Sequence, residues 1–487
     1  MLVLKNSAED VTDAQVVSTT TVREMNPTCT IYAEVRRAET AVAVKLAGGP
    51  ETQPVLTREF QGLFLSNMVV FPGMRPLLEE LISSRGKEIY SCLFGHLMLA
   101  SYPPPDVSTV PPFSDLARHA ARDGVRLIGS FGQPENGMPS SGKVWLRKLP
   151  SAGPLLGVLG VAESFRQMRT FGIEVGRAKL PALPALAAPP SLPPFGLPPR
   201  TSRLERVLLC GFREQTIVLL EQLSRFAGRL DATVLVPETV DLDAARASLC
   251  APAPRGLARR RVSFAEDGPR TYRASLADGT SVGTLRLVTG DWSLLSILSQ
   301  HVPEHDVVVV SSDPDTADPD ARTTTALLKL ANLIETDPQR FPRGLRVVGE
   351  LQDQVKAQLL ERRFPDPGAL PYSIDLVSTD RLRNEFLAQN IMVPGIAEAL
   401  GEILSQGGEQ LVRLTPTALP PEPDRTMTFD DLSAAFLASG RGIALGIELA
   451  RDPGPYLCPD PDHRAFSFRA GDLGAVYAIG PFLELER

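Results

Sequence analysis

Cysteine, histidine and tryptophan are scarce: five, five and two in a chain of 487 residues. The cysteines (Cys29, Cys92, Cys210, Cys250, Cys458) lie far apart, with no C-x-x-C pair. That excludes a disulfide frame or a zinc ribbon and reads as reduced core thiols in a cytosolic environment. No run reaches the roughly 18 apolar residues a membrane span needs. The best candidate, Leu155–Ala162, is strand-length and interrupted by glycine. Met1 is followed at once by LVLKN, without the n-region, h-region and cleavage site of a secretory signal. As written, the chain reads as soluble. A net charge of −7 argues against general nucleic-acid binding. The length and an ordinary hydrophobic fraction of 43% predict roughly two to four globular domains.

A catalytic frame is missing too. No Ser-His-Asp or Cys-His set emerges, and no paired acids stand in a defined spacing. His301-Val302-Pro303-Glu304-His305 spells H-x-x-E-H, but zinc would need both histidines on one face of a helix. Pro303 disrupts that helix, so the stretch reads as a loop entering a strand. Gly440-x-Gly442-x-x-x-Gly446 looks like a phosphate loop, yet it lies between a helix and a strand, and turn glycines account for it. The expectation is a protein that is not an enzyme.

What the chain does hold centres on residues 206–238, RVLLCGFREQTIVLLEQLSRFAGRLDATVLVPE. Strand, glycine turn, helix, strand and acidic residue in that order open a doubly wound α/β domain. The turn aims backbone N–H groups and a helix N-terminus at one spot, which suits a phosphate or carboxylate. Glu238 stands where such folds hold a ribose hydroxyl. Of the G-x-G-x-x-G fingerprint only Gly211 remains, with Phe212 and Arg213 where small residues would admit a pyrophosphate. Two readings stay open: a purely structural turn, or a nucleotide or anion site at Gly211, Phe212, Arg213, Glu238, Gly290 and Asp291. Asp313, Asp315, Asp318 and Asp320 follow the fourth strand, at the sheet edge where open α/β folds bind ligands. They either take a divalent cation or cap the next helix.

The chain also repeats itself. IYAEV at 31–35 matches VVGEL at 347–351, aligning Glu34 with Glu350. FPGMRPLLEELISSRGKEIY (71–90) matches VPGIAEALGEILSQGGEQLV (393–412), and FSDLARHAARDGVRLIG (113–129) answers FDDLSAAFLASGRGIALGI (429–447). The conserved order predicts a tandem duplication. MLVLKN answers the fourth strand of the second copy, so the first copy is expected to be truncated at its N-terminus. The fold class is therefore α/β: two tandem Rossmann-like units, each with crossover helices and a small α+β C-terminal subdomain. The expected boundaries are 1–85 (partial first unit with crossover helices), 86–161 (its subdomain), 162–205 (linker), 206–404 (second unit) and 405–487 (its subdomain). Eight prolines between 181 and 199 favour an extended spacer. Residues 251–261 read as a solvated basic loop. The Pro-Gly kinks at Phe71, Pro72, Gly73 and at Val393, Pro394, Gly395 make helix-turn-helix pairs suited to crossing onto a partner subunit.

Duplicated Rossmann units with kinked crossovers resemble the RCK domains (regulators of K⁺ conductance) of ion channels. The chain looks more closely like the cytoplasmic part of the CASTOR/POLLUX channel family. VLLCGFRE, SAEDVTDAQVVSTTTVRE, SDPDTADPDARTTTALLKL, FPGM…EELISSRGKEIY and the proline-rich bridge carry the likeness, over nearly the whole chain. The resemblance implies a gating-ring subunit of a cation channel at the cytoplasmic face of a membrane, four copies per ring. The pore-forming segment would lie upstream or on another chain. It further implies Ca²⁺ or a nucleotide as regulatory ligand, with Glu34 and Glu350 at acidic strand-five positions joining Asp313 and Asp320 as candidate divalent-cation residues. Arg36 and Arg37 replace a further carboxylate that some relatives keep after Glu34. An NAD(P)-dependent oxidoreductase and a free-standing Trk-type regulatory subunit are the alternatives.

Overall fold

Four segments of the second half, RVLLC, LDATVLV, VVVV and LRVVGEL, are apolar at almost every position. Such runs suit strands covered by helices on both faces. In the computed structural model of the chain they form the centre of an eight-stranded sheet. The structure describes residues 2–4, 12–36, 38–83, 86–94, 104–133, 143–177, 180, 191–197, 206–227, 229–238, 240–251, 262–276, 278–312, 318–342, 344–364, 372–405, 409–459 and 467–481.

In chain order the first half runs β1 (Leu2–Leu4), α1 (Thr12–Met25), β2 (Ile31–Val35), α2 (Ala38–Gly48), β3 (Thr52–Leu56), α3 (Thr57–Val70), α4 (Arg75–Ile82), β4 (Glu88–Leu93), α5 (Phe113–Arg122), β5 (Arg126–Gly132), β6 (Lys143–Leu146), β7 (Leu155–Ala162) and α6 (Phe165–Gly176). The second half opens with β8 (Phe195–Gly196), β9 (Arg206–Cys210), α7 (Glu214–Ala227), β10 (Leu230–Val236), α8 (Leu242–Cys250), β11 (Val262–Gly268), β12 (Thr271–Leu276), β13 (Ser281–Thr289), α9 (Leu295–His301), β14 (Val307–Val310), α10 (Ala321–Thr336), β15 (Leu345–Leu351), α11 (Gln354–Glu361) and β16 (Tyr372–Ser378). It closes with α12 (Thr379–Met392), α13 (Ile396–Leu404), β17 (Glu409–Pro416), β18 (Thr426–Thr428), α14 (Phe429–Ala438), β19 (Ile443–Leu449), β20 (Asp452–Leu457), β21 (Ser467–Arg469) and β22 (Leu473–Pro481).

The parallel strands lie in the order β13-β10-β9-β14-β15-β16, the doubly wound order, which reverses between β9 and β14. Side chains alternate between two layers, as strand geometry dictates. Val207, Leu209, Val307 and Val309 face one core with α7, while Leu208, Cys210, Val308 and Val310 face another with α9 and α10. An antiparallel hairpin, β11–β12, extends the sheet beyond β13. Its period-two pattern, VSFAEDG and TYRASL, is ordinary half-buried strand sequence that the sequence reading passed over. Residues 252–261 of the expected basic loop lie outside the described residues.

The duplication is visible in topology and in hydrogen bonds. β1-β2-β3 are parallel and ordered like β14-β15-β16, with Glu34 opposite Val55 and Glu350 opposite Val377. The small sheets follow the same path, β4-β7-β5-β6 and β17-β22-β19-β20. At the kinks, Phe71 N donates to Asn67 O and Val393 N to Gln389 O, both at 2.8 Å. Gly73 and Gly395 sit at φ 77° and 79°, left-handed values that glycine adopts without a Cβ penalty. Among the described residues, β1 pairs only with β2, whereas its counterpart β14 has β9 on its other side.

The two crossover pairs pack on each other within the chain. Phe60 of α3 stacks on Phe386 of α12 with ring centroids 3.8 Å apart. Gly62 lets α3 approach α7, because a Cβ there would lie 2.7 Å from Val218 Cβ. Buried Arg346 of β15 donates to the carbonyls of Met68 and Val69, capping the last turn of α3. Each kink also touches the other unit's small subdomain: Tyr477 Oη donates to Gly73 O at 3.3 Å, and Gly395 lies against Phe131. Of the expected assembly residues, Pro72, Pro394 and Gly395 are half-buried and Gly73 is exposed. Phe71 is fully buried against Phe226, and Val393 is buried as well. These contacts join the two halves of the chain to each other.

The expected linker region holds a helix at its start and a docked stretch farther on. Residues 165–176 are the helix α6, opened by a capping box between Ser164 and Gln167. Farther on, Phe195 packs on Phe436, and Thr417 N donates to Pro194 O at 2.9 Å, docking this stretch on the second small subdomain. Residues 181–190 lie outside the described residues. Nor are all five cysteines core residues: Cys92, Cys210 and Cys458 are buried, Cys29 is half-buried and Cys250 is exposed.

Candidate ligand-binding site

The strand-order reversal between β9 and β14 marks the carboxyl edge where open α/β sheets place their ligand crevice, beside the turn after β9 and the ends of β13, β14 and β15. Gly211 takes φ 111°, and its N–H is already bonded to Leu235 O at 2.9 Å. The Arg213 N–H is also taken, by Thr216 Oγ1 at 3.0 Å, so the turn offers an anion fewer donors than a glycine-rich loop would. Phe212 is half-buried against the core. Glu238 is exposed past the end of β10. Gly290 N donates to Val236 O at 3.0 Å, and Asp291 accepts from Ser293 N at 2.9 Å and Ser293 Oγ at 2.7 Å. Burial opposes ionisation of Asp291, but the Ser293 bonds and the nearby Arg322 and Lys329 hold its carboxyl below the usual range.

Three residues that sequence reasoning missed belong here. Trp292 is 1% exposed and lies against Gly211. Gln215 Nε2 donates to Glu350 Oε1 at 3.1 Å. Ser312 is buried at the end of β14. Among the described residues, Trp292 Nε1, Ser312 Oγ and Glu350 Oε2 are buried without a hydrogen-bond partner, a condition that native interiors rarely leave unexplained. Trp292 is one of two tryptophans and directly follows Gly290-Asp291, and that rarity was the available signal.

The candidate cation residues do not gather. Asp313 and Asp315 lie outside the described residues. Asp320 spends both carboxylate oxygens on the backbone N–H groups of Gln352 (2.7 Å) and Asp353 (2.9 Å). It therefore caps the β15–α11 connection, and its side chain makes no bond to its own helix α10. Asp318 accepts from Asp320 N and pairs with Lys356 at 2.6 Å, which holds its carboxyl below the usual range. Glu350 is fully enclosed; burial pushes its carboxyl up, against Arg213, Ser311 and Gln215. Glu34, its duplicate, lies in the other unit, held by Arg383 at 2.5 and 3.0 Å and by Thr57 Oγ1 at 3.1 Å. Among the described residues no group of three or more His, Cys, Asp or Glu side chains is placed to hold a metal ion. The H-x-x-E-H stretch ends α9 and continues into a 3-10 turn, with His305 Nδ1 2.7 Å from His301 O.

No family model matches the chain, and no curated protein does. Among solved structures it is similar to one titled GsuK channel, at 14% identity and a TM-score of 0.34, covering 99% of this chain and 65% of that one. It is also similar to the GsuK RCK domain, at 14% identity and a TM-score of 0.32, covering 99% and 78%. A third, titled GsuK channel bound to NAD, matches at 14% identity and a TM-score of 0.33, covering 99% and 65%. The chain spans 65% of the length of the channel chains it resembles.

Proposed function

We propose that this chain is the cytoplasmic ligand-sensing and assembly module of a cation channel of the CASTOR/POLLUX type, with a nucleotide bound at the Gly211 crevice as its regulatory ligand. The observation that carries this reading is the interlock of the two units, in which each kink glycine lies against the other unit's small subdomain. A shift at the crevice of one unit then moves the other, and a ligand acts on the assembly to the extent that it prefers one arrangement of the pair. Arg213 and the unpaired donors on Trp292 and Ser312 support a polar, anionic ligand there. A regulatory Ca²⁺ ion finds weaker support, since Asp320 is spent on backbone groups and Glu34 on Arg383.

On this reading the chain is not an enzyme, and four copies form a ring beneath a pore. No helix among the described residues is long and apolar enough to cross a membrane, so the pore belongs to another segment or another chain. Light scattering on the purified chain, together with an NADH and NADPH turnover assay, tests the proposal. Four-chain particles without turnover are expected. A monomer at every concentration, with steady oxidation of NADH by a substrate, would establish the oxidoreductase instead.

A further inference from the structure

The indole of Trp292 occupies a flat slot in the crevice. At its edge is Gly211, whose missing Cβ would lie 3.6 Å from Cη2 and 3.8 Å from Cζ2. Arg322 lies over the ring, its guanidinium carbon 5.2 Å from the centroid and its Nε 3.6 Å from Asp291 Oδ1. Bare backbone at the ring's edge and a cation over its face suit any planar aromatic ring. The indole itself fits it imperfectly: Nε1–H is buried with no acceptor, and an unpaired buried donor carries its full desolvation cost. Ser312 Oγ, at the end of β14, is also unpaired among the described residues, and Glu350 Oε2 is unpaired on the α7 face of the sheet. A nucleotide presents ring nitrogens, an exocyclic amine and ribose hydroxyls, which can satisfy donors and acceptors that indole cannot.

We propose that Trp292 is a built-in occupant of the base subsite, and that a purine base binds by turning the indole out and taking its place beside Gly211 and under Arg322. This rests on the nucleotide reading of the crevice above. It makes Trp292 the element that couples ligand entry to a rearrangement of the β13–α9 connection.

The test uses the full chain carrying Trp145→Phe, so that Trp292 is the single tryptophan and is excited selectively, with AMP, NAD⁺ and ribose 5-phosphate as probes. AMP and NAD⁺ are expected to shift the Trp292 emission to the red as the indole reaches water, while ribose 5-phosphate, which has no base, leaves it unchanged. Trp292→Ala is expected to bind AMP about tenfold more tightly, because no indole has to be displaced. AMP binding with unaltered emission, or weaker binding by Trp292→Ala, would overturn the inference and make Trp292 a fixed stacking surface. The emission readout needs no change at position 292, so it decides even where Trp292→Ala does not fold. If neither AMP nor NAD⁺ binds the folded chain at all, the nucleotide reading of the crevice falls, and this inference with it.

Discussion

Arg383 of α12 grips Glu34 of β2 across the join between the two units, with Nε 2.5 Å from Oε1 and Nη2 3.0 Å from Oε2. The carboxylate is 1% exposed and the arginine side chain 19%. Removing one partner strands a buried charge, so Arg383→Gln should cost about 3 kcal/mol of unfolding free energy. Glu34→Gln combined with Arg383→Gln should recover a good part of that loss. Urea unfolding of the two single variants and the double variant measures the coupling. Additive effects would mean that the contact contributes nothing specific.

The kink glycines should differ in their tolerance of a side chain. Both hold left-handed φ, which costs a non-glycine residue about 1–2 kcal/mol. An added Cβ at Gly73 would find its nearest neighbour at 3.9 Å, whereas at Gly395 it would lie 2.4 Å from Phe131 Cε1. Gly73→Ala should therefore lose about 1 kcal/mol, and Gly395→Ala about 1–3 kcal/mol more, from overpacking between the units. Thermal melts of the two variants compare them, and equal losses would contradict the interlock.

His305 gives a signed pH dependence. Burial holds its imidazole below the ordinary histidine value, outweighing the bond to the His301 carbonyl and the nearby Glu304 and Asp231; the neighbouring His301 adds to the lowering. Below about pH 6.5 the unfolded chain takes up a proton here that the folded chain refuses. This group's contribution is therefore fully present above that pH and is lost as pH falls toward the lowered folded value. His305→Asn keeps a donor for the carbonyl without titrating. Between about pH 7.5 and about pH 5.5 the wild-type urea midpoint should fall further than the variant's. Parallel curves would show that His305 does not titrate in this window.

Much of this architecture was legible because local pattern and global fold agree. Val207–Gly211–Val236 reads as strand, turn and strand, and the repeated F/V-P-G signature located both crossovers and, through Glu34 and Glu350, the duplication itself. The Arg383–Glu34 grip could not be read, since it joins residues 349 positions apart whose meeting depends on how two finished units pack. For the same reason the contacts between the kinks and the opposite small subdomains could not be read: the apolar face of a crossover pair does not say which element covers it. Helix α6 was lost to the prolines that follow it, although Ser164 and Gln167 spell its cap.

The central claim is that a ligand at the Gly211 crevice changes the relation between the two units. It is tested most directly by electron–electron distance measurement between spin labels at Leu46→Cys on α2 and Leu359→Cys on α11, both exposed positions. Cys29 and Cys250, which lie outside the core, would be replaced by serine to prevent stray labelling. Saturating NAD⁺ should shift the distance distribution, and Arg213→Ala should weaken NAD⁺ binding and move the shift to higher concentration. An unchanged distribution at proven saturation would contradict the account, leaving a nucleotide bound to a rigid pair with nothing to transmit.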